Sequence, residues 1–212
     1  MQPHRLFGLL ALVALAGCGG EASSEPPAEP VEPVASASTS ASAPSTASTS
    51  AAPVEAESLA RAEAAATQLG TTLRGRLLAA MGEGGPAHAA EVCAGEAAAL
   101  TERVHTETGV SVGRASLRRR GASSSPAWVD AWLAAQGERA AEGVEGFARL
   151  EDGHARVLRP IVIEAPCLAC HGETIAPEVA AILDARYPSD PARGYRVGDL
   201  RGALWAEVAS TP

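Results

Sequence analysis

The chain contains no lysine; all 17 of its Lys-plus-Arg residues are arginine, set against 25 acidic residues for a formal charge of −8. A compact nucleic-acid binder would carry the opposite sign, so that class is excluded. The missing lysine, beside abundant Ala, Gly and Arg, reads as coding bias rather than a functional signal. Aromatics are also scarce, at 3% of residues, so a core built from the 46% hydrophobic content has few large rings. Long apolar runs are lacking too. The segment Leu6–Ala16 has only 11 residues, short of the roughly 20 a permanent transmembrane helix needs.

That short run instead fits a signal h-region behind the single arginine of Met1–Arg5. It ends in Leu15-Ala16-Gly17-Cys18, which resembles a bacterial lipobox. The expectation is a signal peptide over 1–17 and a lipidated Cys18, with an ordinary signal peptide as the alternative. Acyl chains on one cysteine would hold the protein at a membrane. Gly19 after the cysteine leans toward the outer membrane, on the periplasmic side of a bacterial envelope. Residues 18–57 begin with Cys18 and are mostly Ser, Ala, Thr, Pro and Glu, with six glutamates and no arginine between 21 and 57. Such a stretch cannot bury enough surface to offset ordering and reads as a disordered tether, about 35 Å in root-mean-square span.

The folded domain is expected over 58–212. Leu59, Ala62, Ala66, Leu69, Leu73, Leu77 and Ala80 recur at helical spacing behind a Ser58 cap. Gly82 to Gly85 ends that helix, and Pro86 opens a second one carrying Ala89, Cys93, Ala97, Leu100 and Val104 on one face. Val110–Leu117 reads as a strand. Pro126 starts a helix with Trp128 and Trp132. Phe147–Leu150 and Ala155–Glu164 flank the turn pair Asp152-Gly153 and predict a hairpin. Pro177–Tyr187 is a short helix and Arg201–Val208 a final strand. The sum is α+β, a small antiparallel sheet packed by helices, with helices at its N-terminal side.

The chemistry concentrates at Cys167-Leu168-Ala169-Cys170-His171. C-x-x-C-H is the spacing of c-type haem attachment: two thiols placed to add to two vinyl groups, and an adjacent imidazole for the iron. An exported chain would meet haem-attachment machinery, and a macrocycle would supply the bulk that the aromatic-poor core lacks. Rival readings are a Cys167–Cys170 disulfide, a thioredoxin-like redox pair, and zinc held by Cys93, Cys167, Cys170 and His171. Cys93 is left over. It is either a small buried apolar group or a second axial ligand, a role for which His88, His105, His154 and Met81 are also candidates. Arg114, Arg118 and Arg120 are possible partners for haem propionates, because guanidinium matches carboxylate, or else members of a solvated basic loop.

The stretch from Leu59 to Val208 resembles a family of PAS-like c-type haem domains of unknown function, found alone or attached to sensor kinases. The resemblance is carried by Glu91-Val92-Cys93, Gly113-Arg114-Ala115-Ser116-Leu117-Arg118, Pro126-Ala127-Trp128, Arg159-Pro160-Ile161 before the C-x-x-C-H, Tyr187-Pro188 with Asp190, Gly194-Tyr195, and Gly198-Asp199-Leu200-Arg201-Gly202-Ala203. Where the family usually has an Arg-Asn-Pro turn, this chain has Arg120-Gly121-Ala122. The resemblance implies a PAS-like fold, one covalent haem c, and a helical cysteine ligating iron opposite the motif histidine; that cysteine falls on Cys93. No acid–base constellation accompanies the motif, so the expectation is not an enzyme. It is a membrane-tethered envelope haem protein for redox or small-ligand sensing, passing its signal to a partner. The alternatives are a periplasmic electron carrier and a haem-free thiol or zinc protein.

Overall fold

The structure, a computed structural model, describes residues 51–209. The expected signal peptide, the lipidated Cys18 and most of the tether lie outside the described residues.

Helix α1 spans Ala51–Thr108 and is broken once, at Gly84 and Gly85 (φ 71°), immediately before Pro86. The break makes an elbow between two arms, 51–83 and 86–108. Its cause is local: Gly85 takes a left-handed φ that only glycine adopts freely, and Pro86 is accommodated at the first turn of the second arm. The first arm starts at Ala51, before the expected Ser58 cap, so helix extends into residues expected to be tether; Ser58 is a buried helical residue.

The strands are β1 (Ser111–Ala115), β2 (Phe147–Glu151), β3 (His154–Val162) and β4 (Leu200–Ala209). They form one sheet in the order β1-β4-β3-β2, antiparallel throughout. The β2–β3 hairpin turns on Asp152 (φ 51°) and Gly153 (φ 71°), the paired positive angles of a tight turn that matches strand twist. Alternation sorts the side chains to two faces. Val112, Ala155, Val157, Ala206 and Val208 pack on Ala62, Ala65, Ala66, Leu69 and Val104 of α1. Ala115, Leu158, Ala203 and Trp205 face α2 (Ala127–Gln136), which supplies Val129 and Leu133. Trp128 stands edge-on to Trp205, ring centroids 6.5 Å apart. The two α2 tryptophans therefore flank the buried stripe instead of forming it.

The last strand lies between β1 and β3, so the excursion 163–199 leaves and re-enters the sheet at neighbouring strands. Its ends are tied: Ile163 N–H donates to Asp199 O, and Gly198 N–H to Ile163 O, each at 2.9 Å. This closed excursion carries a 3-10 turn (Ala165–Cys167), α3 (Leu168–His171), α4 (Pro177–Arg186) and a strap over 187–195. The α+β architecture is the one expected.

Candidate functional site

The C-x-x-C-H motif forms one continuous helical turn. Pro166 enters the 3-10 turn, where its missing N–H costs nothing, and the chain runs directly into α3. A three-residue step on a helix puts two side chains on one side, so Cys167 and Cys170 share a face. Both are free thiols, as is Cys93. Cys167 packs toward Ile163, Ala192 and Tyr195. Cys170 packs toward Ala90 of the second α1 arm and Val179 and Leu183 of α4. Burial pushes the Cys170 thiol up; the Arg120 charge works against that, while the nearby Cys93 and Cys167 sulfurs add to it.

His171 ends the turn with its ring partly buried. Its Nδ1–H donates to the backbone carbonyl of Ala192 at 2.7 Å. Burial, then the charges of Arg201 and Arg120, lower its pKa to about 3, so the ring is neutral at physiological pH. A neutral imidazole that donates from Nδ1 keeps its Nε2 lone pair, which is how metal-binding histidines are held. Tyr195 stands edge-on to the ring, centroids 6.1 Å apart.

The strap 187–195 makes the back wall. Tyr195 N–H donates to His171 O and Gly194 N–H to Gly172 O, both at 2.9 Å. Asp190, its side chain 1% exposed, pairs with Arg120 at 2.8 Å and with Arg193 at 3.0 Å. It also accepts from the Ala192 N–H at 3.0 Å. Burial alone would raise this carboxyl, but the bonds from Arg120, Ala192 N–H and Arg193 outweigh it and hold the pKa below the ordinary value.

The three arginines expected near propionates part company. Arg120 is committed to Asp190 and donates to Cys170 O at 2.8 Å and Ala192 O at 3.2 Å. Arg118 lies over the Tyr195 ring, 3.8 Å from its centroid, donates to Arg193 O at 2.7 Å and faces Glu138. These two clamp the strap; neither stands in a solvated loop. Arg114 is different. It is exposed, yet loss of hydration lowers its pKa, and no carboxylate among the described residues pairs with it. Arg201, which the sequence reading did not single out as a site residue, is also without a carboxylate partner among the described residues. Burial lowers its pKa, and it donates to Ser116 Oγ at 2.5 Å. Its position in Gly198–Ala203 was the available signal.

Cys93 corrects the buried-thiol alternative: its side chain is exposed. Ala89 is covered at the elbow and Val104 by the sheet, whereas Cys93 between them is exposed. Loss of hydration to the surrounding protein still pushes its thiol up, against the charges of Arg114, Arg120 and Arg76. The Cys93 sulfur contributes to the raised Cys170 pKa, so the two thiols lie near one another.

The other ligand candidates are engaged elsewhere. His88 contacts Glu83 at the elbow, His105 bonds Val110 O at 2.8 Å, and His154 bonds Asp152 O in the hairpin turn. Met81 packs in the elbow cluster. Among the described residues, no three His, Cys, Asp or Glu side chains converge as a metal-ion site, so a zinc site of Cys93, Cys167, Cys170 and His171 is not assembled. A haem would need no such convergence, because its iron stands at the centre of a wide ring. Two thiols on one turn, a lone pair beside them and an exposed thiol on the second arm of α1 fit that group.

The family model for Tll0287-like proteins matches residues 37–208. No curated protein matches the chain. Among solved structures, the crystal structure of the cyanobacterial haem-protein Tll0287 aligns with a TM-score of 0.55 at 26% identity. The alignment covers 73% of this chain and 96% of that one. The fold is α+β and PAS-like.

Proposed function

This chain belongs to the Tll0287-like family, and from that membership we propose that it is a c-type haem protein that senses redox state or a small ligand. Cys167 and Cys170 hold one haem covalently. Each S–H would add across one vinyl double bond, sulfur to the carbon nearer the ring and hydrogen to the outer carbon, so nothing would leave and no oxidant would be consumed. His171 Nε2 and the Cys93 sulfur would bind its iron, and Arg114 would be the cation for one of its propionates. When bound, the group supplies a one-electron Fe(III)/Fe(II) couple and a position open to a small ligand.

The observation that carries this reading is the His171 ring, neutral and committed through Nδ1–H to Ala192 O, on one turn with two free thiols. The exposed Cys93 supports the second ligand; loss of hydration pushes its thiol up, and the Arg114 and Arg120 charges work against that. A thiolate stabilises ferric over ferrous iron. Cys93 rides on a different element from His171, beyond the Gly84–Gly85 elbow, so it would be able to move independently of the C-x-x-C-H turn. That separability favours sensing over electron carriage. The chain itself has no enzymatic role. Lipidation at Cys18 tethers it in a bacterial envelope, on the outer membrane facing the periplasm, and a signalling or redox partner receives the output.

The test is to export the full chain in a host with haem-attachment machinery. A Soret band that survives acid–acetone extraction, with a matching gain in intact mass, is the expected result. A folded, colourless protein would overturn the haem reading. Rapid binding of carbon monoxide on reduction supports a sensor; fast electron exchange with small cytochromes without ligand binding supports the carrier.

A further inference from the structure

The closed excursion presents His171 through a second layer of groups that come from three separate parts of the chain. Arg120, from the loop after β1, donates to Cys170 O at 2.8 Å and to Ala192 O at 3.2 Å. Asp190 binds that guanidinium through both carboxylate oxygens, at 3.1 and 2.8 Å. Its Oδ1 also takes the Ala192 N–H at 3.0 Å. Ala192 is fully buried, and its carbonyl is the acceptor for His171 Nδ1–H. Both ends of one peptide segment are thus pinned by the same ion pair, and that segment aims the imidazole.

We propose that Asp190 and Arg120 are positioning residues for His171, acting through Ala192 to fix which ring nitrogen carries the proton and where the other one points. The inference rests on the proposed ligand role of His171. A bond from Nδ1–H to a carbonyl raises the basicity of the opposite nitrogen. Arg120 draws on the same carbonyl, so the pair also sets how strongly Nε2 donates. A buried ion pair is costly to assemble and is often no more stabilising than an apolar replacement. Its place here is explained by the orientation it gives the ring.

The test uses the full chain carrying its haem, with four variants. Arg120→Met/Asp190→Asn removes the ion pair and leaves no buried charge unpaired. Asp190→Asn alone is isosteric and keeps the acceptor for Ala192 N–H. Arg120→Lys keeps a cation that reaches one carbonyl. Arg119→Gln is the control, since Arg119 is bonded to Asp130, Ser123 and Ser125 instead. The double variant is expected to shift the reduction potential and to give more ferric EPR signals than wild type. In nitrogen-15 NMR its His171 is expected to lose the pure Nδ1–H tautomer. Asp190→Asn should fall between it and wild type, Arg120→Lys should restore part of the change, and the control should match wild type. A double variant, or failing its folding the Asp190→Asn protein, that keeps tautomer, signal and potential unchanged overturns the proposal. The tautomer is readable with or without haem. A folded, colourless wild type therefore removes the proposed function, while the tautomer shift still decides the positioning claim.

Discussion

Asp190 is the residue where stability and site geometry meet. Its side chain is 1% exposed and its partner Arg120 13% exposed. Breaking a buried pair from one side costs about 3–5 kcal/mol, because the remaining charge is left unpaired. Asp190→Asn should therefore lower the free energy of unfolding by about 3 kcal/mol at neutral pH, read by urea denaturation. The pH dependence has a definite sign. The folded-state pKa lies below the unfolded value, near 3.9 for a free aspartate. The contribution is thus full above about pH 4 and disappears as pH falls through the lower, folded value. The gap between wild type and Asp190→Asn should narrow only below about pH 4. A constant gap down to pH 2 would show that Asp190 is not held as the carboxylate.

At the scale of elements, the sheet is closed by a contact that tolerates no side chain. Gly113 on β1 lies opposite Trp205 on β4. A Cβ there would sit 2.7 Å from the indole ring, and Trp205 is locked against Trp128 and Ala115. Gly113→Ala should cost about 1–3 kcal/mol by overpacking, lowering the thermal midpoint by about 2–4 °C per kcal/mol. An unchanged midpoint would mean the β1–β4 packing is looser than described. Most elements were legible because their signals are local: Pro126 and Pro177 open helices, Asp152-Gly153 turns a hairpin, and the glycines before Pro86 break α1. What was not legible depends on residues far apart in sequence. The Arg120–Asp190 pair spans 70 positions, so Arg120 read as an available cation until the fold committed it. Cys93 shares a helical face with Ala89 and Ala97, and periodicity alone put it in the core. Only the fold reveals that it is exposed. The start of α1 was missed because Ala51–Glu57 has a tether-like composition.

At the scale of the molecule, the C-x-x-C-H turn, the strap and the second arm of α1 come from three stretches of chain, brought together because β4 closes between β1 and β3. The haem reading depends on that convergence. The tether reading is separable from it. Cys18→Ser should move the protein from the membrane to the soluble fraction while leaving its absorption spectrum unchanged. A spectrum that changed with Cys18 would mean the leader and the folded domain are not independent. The central claim is that Cys93 and His171 bind one iron from opposite sides. The most direct measurement is the ferric absorption spectrum, visible to near-infrared, of wild type beside Cys93→Ser. Thiolate ligation predicts a wild-type charge-transfer band that the variant loses, together with a higher reduction potential. Identical spectra and potentials for the two proteins would contradict the account.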